Sequence, residues 1–529
     1  MDRELVLING RIVSMDAESR EYEAVAMQHG RIVSLGPARE VLRAAGPAAE
    51  VVDLNGRTVL PGFIDAHQHM IYFGHHLSCV DCRRESIADM AEAIRARAKE
   101  LEPTDWIIGQ GFDETCFREK RLPTAEDLRG IPNPVYITRF CLHAAVVNQA
   151  GLAAAGIDET TSDPPGGELM RDEQGKLTGV LREKALDLIR HVLPPCTPDD
   201  MRKALTLADR RYISEGITTV HEAGIGFFTD SFEEFAVFQE MTRSEAIHVR
   251  VYGMVLDKFF PLVKAARMRF GLGDGRFKLG PVKIFSDGTL SGRTAAVSEE
   301  YLDPPGTTGM MVISADELQQ KVLEAHLEGY QVSVHAIGDR AIDQVIAAYE
   351  NALAICPRED HRHRIEHCAV TAPELIRRIK KLGLIPVPQT ALLHTAGDVY
   401  RRVLKPHVLQ GLYPYQTFFQ EGVRVAGSSD CPVVPSSPLL GLYTAMTRQT
   451  TEGAAVVPEQ QISLFQALQM YTVHAAYASF GEREIGTIEL GKYGDLVVLP
   501  EGFMSFSPDE VKEAKVELTV IDGKIVFSR

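Results

Sequence analysis

Apolar and polar positions alternate along this chain with two different periods. From residue 1 to about 58, short apolar runs of β type are separated by turn dipeptides. Leu5-Val-Leu-Ile8 precedes Asn9-Gly10, Arg31-Ile-Val-Ser34 precedes Leu35-Gly36, and Val51-Val-Asp-Leu54 precedes Asn55-Gly56. Asn-Gly between apolar runs is a hairpin signal, because both residues tolerate the positive φ of a tight turn. The carboxyl end has the same style, with Asp495-Leu-Val-Val-Leu499, Val516 to Val520, Asp522-Gly523 and Lys524-Ile-Val-Phe527. Two β-rich ends of one character predict that the termini meet in a small β-sandwich domain, residues 1–58 with 482–529.

The middle of the chain switches between helical and strand patterns. Ser314 with Glu317 is a capping-box start, after which Leu318, Val322 and Ala325 share one helical face. Gly329 lies beyond that helix, Gln331-Val-Ser-Val-His335 follows as a strand, and the next helix begins near Gly338-Asp339. Similar strand candidates are Gly216 to His221, Val249 to Val255, Phe277 to Phe285, Arg364 to His367, Leu384 to Val387 and Val423 to Ala426. The apolar strand before His67 makes eight, each followed by helix-like sequence. That predicts an α/β fold, a (β/α)8 TIM-type barrel over residues 59–75 and 206–481. Residues 76–205 break the rhythm with Gly109-Gln-Gly-Phe-Asp113 and Asp163-Pro-Pro-Gly-Gly167. They are expected to form an insertion after the first barrel strand, covering the active-site mouth.

A length of 529 residues exceeds one simple core, in keeping with two or three domains. Lys plus Arg (56) less Asp plus Glu (72) gives −16, which argues against a nucleic-acid or anionic-membrane partner. No run of about 18 apolar residues suggests a membrane span. The stretch from Met1 lacks a basic region followed by an apolar one, so no secretory signal is expected and the cytoplasm is the expected compartment. Eight cysteines are scattered, and the lone Cys79-x-x-Cys82 has no second pair at zinc-ribbon spacing, which favours reduced thiols.

Candidate chemistry sits where the predicted strands end, the face on which barrels of this kind place their sites. His67 and His69, two apart on a strand, point to one face. Lys283 lies within the fourth strand, His335 ends the fifth, His367 ends the sixth and Asp430 follows the eighth. Singly, each has an ordinary reading: a hydrogen-bonded core histidine, a lysine neutralising a carboxylate, or a helix cap at Asp430. Together they would converge on one mouth, and imidazole is the commonest neutral ligand of a catalytic divalent metal.

Several motifs carry a resemblance. They are Leu60-Pro-Gly-Phe-Ile-Asp-Ala-His-Gln-His69, Lys283-Ile-Phe-Ser-Asp-Gly-Thr-Leu-Ser-Gly-Arg-Thr294 and His335-Ala-Ile-Gly-Asp-Arg-Ala341. Arg364-Ile-Glu-His-Cys368, Gly427-Ser-Ser-Asp430 and Gly486-Thr-Ile-Glu-Leu-Gly-Lys492 with Asp495-Leu496 complete them. In these the chain resembles the metal-dependent amidohydrolase superfamily over nearly its whole length. Within it, the resemblance is to the amidohydrolase family 3 branch of N-substituted formamide deformylase-like and YtcJ-like proteins. It implies that His67 and His69 bind a more buried metal and His335 and His367 a more exposed one. It further implies that Asp430 coordinates the buried metal and shuttles a proton. Lys283 matches the lysine whose carbamate bridges two metals in binuclear members, although mononuclear sites also occur in this branch. The chain departs from the branch pattern at Arg139-Phe-Cys-Leu-His143, where Arg-Asp-Gly-His is usual before an Asn, here Asn148. That departure bears on substrate preference rather than on the chemistry.

The expected activity is hydrolysis of a C–N bond in a small amide, an N-substituted formamide or a cyclic amide. One or two divalent metals, zinc before manganese, iron or cobalt, would activate water to hydroxide. Asp430 would pass the proton to the leaving nitrogen. His221 or His143 would hold the developing oxyanion or serve only in packing. Asp287 and Arg293 would contact substrate or brace their loop. The rivals are an esterase, lactonase or phosphotriesterase on the same site, and a metal-free regulatory scaffold. A homodimer is the prior for a soluble enzyme.

Overall fold

The computed structural model describes residues 4–139, 143–303 and 305–529. Phe140 to Leu142, within the departing motif, and Met1 to Arg3, within the amino-terminal stretch read for a signal, lie outside the described residues. The chain divides into two compact units, one of residues 1–73 with 205–529 and one of residues 74–204.

The first unit is built on seven parallel strands. They are β1 (Phe63–Gln68), β2 (Ile217–Ile225), β3 (Arg250–Leu256), β4 (Phe277–Phe285), β5 (Val332–Ala336), β6 (Arg364–His367) and β7 (Ile385–Val387). Each pairs with the next in sequence order, giving a nearly closed barrel. The connecting helices form where apolar spacing and caps direct them. Ser314 Oγ accepts the Glu317 amide at the start of Ala315–Leu327, and Leu318, Val322 and Ala325 are its buried face.

The eighth position departs from expectation. Val423 to Ala426 forms no regular strand, although residues 423–430 span the gap between β7 and β1. On one side the Ala426 amide donates to Pro386 O (3.1 Å) and the Thr390 amide to Ser428 O (3.2 Å). On the other, the Ala66 amide donates to Gly427 O (3.1 Å) and the Asp430 amide to His67 O (2.7 Å). The reason lies in the neighbour: Pro386 and Pro388 have no N–H, so a regular ladder cannot form along that edge. The Gly427 amide turns away to Met470 O instead.

Both ends of the chain build two further sheets of this unit. One orders residues 31–36, 24–28, 5–8 and 50–53. The other orders 524–528, 518–521, 496–501, 57–61, 11–13 and 21–22, with Leu60 opposite Val497 in an antiparallel pair. Their alternating apolar rows share one core that includes Leu7, Ile12, Met27, Val59, Leu496 and Val520. The second unit is a mixed six-stranded sheet with an apolar core on each face, one around Ile94 and Phe112, the other around Leu152 and Leu181. No helix among the described residues is long and apolar enough to cross a membrane.

Three histidines under β5 and β6 are held neutral by their partners. His326 Nε2 donates to Cys356 O, so its Nδ1 accepts from His363 Nε2 (3.0 Å). His363 Nδ1 accepts from the Val332 amide, and His361 Nδ1 accepts from the His363 amide. Burial lowers the pKa of all three, His363 well below the ordinary value. The unfolded chain therefore takes up protons near pH 6.5 that the folded chain refuses, and stability falls as pH drops below that point. The loss is up to about 1.4 kcal/mol per pH unit for each such histidine. Urea unfolding at pH 7.5 and 5.5 is expected to show this decline. It should be smaller in His363→Asn, which keeps an acceptor for the Val332 amide and cannot titrate.

Candidate metal centre

Strand register brings the predicted ligands together at the carboxyl ends of the barrel strands. β5 sets His335 opposite Glu366 and Ala336 opposite His367, while β4 sets Phe285 opposite His335. Asp430 stands at the centre: its Oδ1 is 3.5 Å from His67 Nε2 and 3.4 Å from His69 Nε2. Ligand atoms of His67, His367 and Asp430 all lie within 4.8 Å of one another. The His335 ring is 4.3 Å from that of His367, centroid to centroid. Lys283 is buried beside them, its Nζ 5.1 Å from the Phe285 ring centroid.

Local backbone strain aims two of these groups. His367 (φ 67°) and Asp430 (φ 60°) are in the left-handed region, which costs a non-glycine residue on the order of 1–2 kcal/mol. Backbone hydrogen bonds hold them there, the Cys368 amide donating to Ala336 O (3.0 Å) and the Asp430 amide to His67 O (2.7 Å).

Hydrogen bonds also decide which ring nitrogen is free to bind. His67 Nδ1 donates to Glu366 Oε2, leaving its lone pair on Nε2. His367 Nδ1 donates to Gln389 Oε1 (2.6 Å), and Gln389 is oriented by its own donation to Val387 O, so the His367 lone pair is also on Nε2. His335 Nε2 donates to Gly288 O (3.0 Å), which leaves the lone pair on Nδ1. This is how metal-binding histidines are prepared, with the second nitrogen anchored outward.

Burial and neighbouring groups set the charges here. Burial favours the neutral form of Asp430, but the His69 hydrogen bond and the nearby His67 and His367 rings hold its carboxyl well below the usual range. Burial pushes the Lys283 ammonium down to about 8. Burial would lower His69, yet its contacts with Asp430 and Glu222 raise it to about 9.

The remaining expected site residues have other partners. His221, on β2, is turned to Arg364: its Nδ1 accepts from Nη1 (3.0 Å) and its ring edges onto Tyr252. That sets it behind Glu366 rather than among the ligands. Asp287 accepts the amides of Ala296, Ile337 and Gly338 at 2.9–3.0 Å, and its Oδ1 lies 3.4 Å from His335 Nε2, so it braces the loops beside that histidine. Arg293 likewise donates to the carbonyls of Asp303 and Ser291 in its own loop. His143 is in the second unit, exposed, with Nδ1 3.1 Å from Glu183.

Four supporting residues escaped the sequence reading. Glu366 and Gln389 anchor ligand rings, Glu222 lies 3.6 Å from His69 Nδ1 and accepts the Met70 amide (2.7 Å), and Asp65 accepts the His67 and Ser429 amides. Burial raises the Asp65 carboxyl to about 7. For two of them the signal was placement: Asp65 and Glu366 are carboxylates within strands, two and one positions from a ligand histidine.

The donor set suits a divalent metal, with imidazole lone pairs and a carboxylate aimed at one point. Comparison with known proteins agrees. The sequence profile described as "Amidohydrolase family" matches residues 50–527. YtcJ of Bacillus subtilis is 31% identical over 535 residues, 98% of each chain. The N-substituted formamide deformylase of Arthrobacter pascens is 30% identical over 544 residues, 100% of this chain and 99% of that one. The crystal structure of an uncharacterized metal-dependent hydrolase from Pyrococcus furiosus superposes with a TM-score of 0.78 at 26% identity, covering 96% of this chain and 99% of that one.

Plasma mass spectrometry on protein purified without chelators is expected to find at least one divalent metal ion per chain. The pair His67→Ala and His367→Ala combined should remove it. Full metal content in that variant would place the ion elsewhere.

Proposed function

The chain belongs to the amidohydrolase family, and from that premise we propose that it hydrolyses the C–N bond of a small amide, an N-substituted formamide or a cyclic amide, at the His67–His69–His335–His367–Asp430 cluster. The observation that carries this reading is the placement of one ionised carboxylate, Asp430, within 3.5 Å of the Nε2 atoms of both His67 and His69. A divalent metal bound by these residues supplies Lewis acidity and lowers the pKa of water from 15.7 towards about 7.

The residues have distinct tasks. His67 and His367 offer Nε2 to the metal, and His335 offers Nδ1. Asp430, ionised at neutral pH, takes a proton from the attacking water and returns it to the departing nitrogen, which would otherwise leave as an unstable amide anion. Lys283, with its pKa brought down to about 8, holds more neutral amine near neutral pH than an exposed lysine would. The neutral amine is the form that takes up carbon dioxide, losing a proton to give a carbamate with two anionic oxygens for metal. Zinc is the metal that best suits such ligands. The deformylase relative supports formamides as the first substrates to try.

A panel of matched amides, formamides and esters tests this. Turnover of amides or formamides is expected, and turnover of esters alone would overturn it. Asp430→Asn should lower kcat on the order of 10²–10⁴-fold with a much smaller change in KM. Lys283→Ala should lose metal and activity together and regain part of both with an added short carboxylate. Full activity in that variant would remove the bridging role.

A further inference from the structure

Behind the ligand cluster runs a chain of buried polar groups that the proposed chemistry does not use. Glu366 and Arg364 are two apart on β6, so both face the barrel interior, and neither is exposed to solvent. Glu366 Oε1 accepts from Arg364 Nε (2.7 Å) and Ser333 Oγ (2.7 Å). Its Oε2 accepts from Arg364 Nη2 (3.0 Å) and His67 Nδ1. Two further guanidinium hydrogens reach Ala66 O on β1 (2.6 Å) and His221 Nδ1 on β2 (3.0 Å). Since arginine only donates, His221 is the neutral Nε2–H tautomer with its acceptor facing Arg364.

We infer that Arg364 and Glu366 are positioning residues that set how tightly His67 holds the metal, with His221 steadying Arg364 from behind. This rests on the metal reading of the site. Both carboxylate oxygens are fully engaged, so Glu366 can sit in one place only, and that place fixes the His67 ring and its tautomer. A carboxylate on the far nitrogen also makes the imidazole a stronger ligand. Arg364 supplies the charge that lets a carboxylate remain in the barrel interior, and it ties β6 to the backbone of β1 next to His67. A group two hydrogen bonds away from the metal thus governs its binding.

The test is zinc affinity of the full chain, measured by competition with a chromophoric chelator, alongside thermal unfolding. The variant Arg364→Met with Glu366→Gln leaves no unpaired buried charge, while a neutral amide replaces the carboxylate at His67. It should bind zinc about 10–100-fold more weakly, with a wild-type circular dichroism spectrum. Glu366→Asp keeps the ion pair but draws the carboxylate back by one methylene. It should weaken zinc in the same direction, and it keeps the measurement decisive if the double variant does not fold. Arg250→Met breaks another buried pair, with Asp495 (2.6 Å), that leads to no ligand. It should lower Tm and leave zinc affinity unchanged. Wild-type affinity in the Glu366 variants, or equal weakening in Arg250→Met, overturns the inference while the metal site stands. Failure of the wild-type chain to bind zinc overturns both.

Discussion

The site depends on one backbone contact, the hydrogen bond from the Asp430 amide to His67 O across the last gap of the barrel. Far apart in sequence, the two residues meet only because residues 423–430 lie against β1. Asp65 reinforces the junction from below by accepting amides from both sides, those of His67 and Ser429. The contact that closes the barrel therefore also places Asp430 beside His67, and the left-handed backbone at His367 and Asp430 is held by the surrounding hydrogen bonds.

Around that junction, burial decides the chemistry. Ionic groups inside a barrel are tolerated only with full sets of partners, and breaking one such pair typically destabilises a protein by about 3–5 kcal/mol. Here Arg364, Glu366 and Asp430 each have a partner with a chemical consequence. Arg364 neutralises Glu366, Glu366 orients His67, and the histidines hold Asp430 ionised. Lys283 has no such bidentate partner, and burial lowers its pKa to about 8, which suits the modification proposed for it.

Much of this was legible in the sequence because a strand has period two and a barrel has one chemical face. His67-x-His69, His335, His367 and Asp430 could be collected from strand ends alone. The supporting layer could not. Glu366 was visible within Arg364-Ile-Glu-His367, but whether a buried carboxylate anchors a ligand depends on what faces it across the barrel, which no local pattern encodes. The same holds for Asp287 and Arg293, whose loop sequence does not show that Asp287 accepts three backbone amides or that Arg293 donates to two backbone carbonyls. The segment 423–426 has a strand's sequence, with β-branched Val423 and Val425 beside Ala426. The information that denies it a ladder sits in the neighbouring strand, at Pro386 and Pro388.

That irregular edge has a thermodynamic consequence. His67 on β1 and Asp430 on the closing segment meet at the least regularly bonded part of the barrel wall, with His367 two strands from β1 across it, so an ion gripped by all three would act as a staple across its seam. Binding energy would then appear as resistance to unfolding, growing by RT ln(1 + [L]/Kd) as the free ion concentration rises. The barrel would be at its tightest where its backbone ladder is poorest, and cofactor and architecture would share one stability.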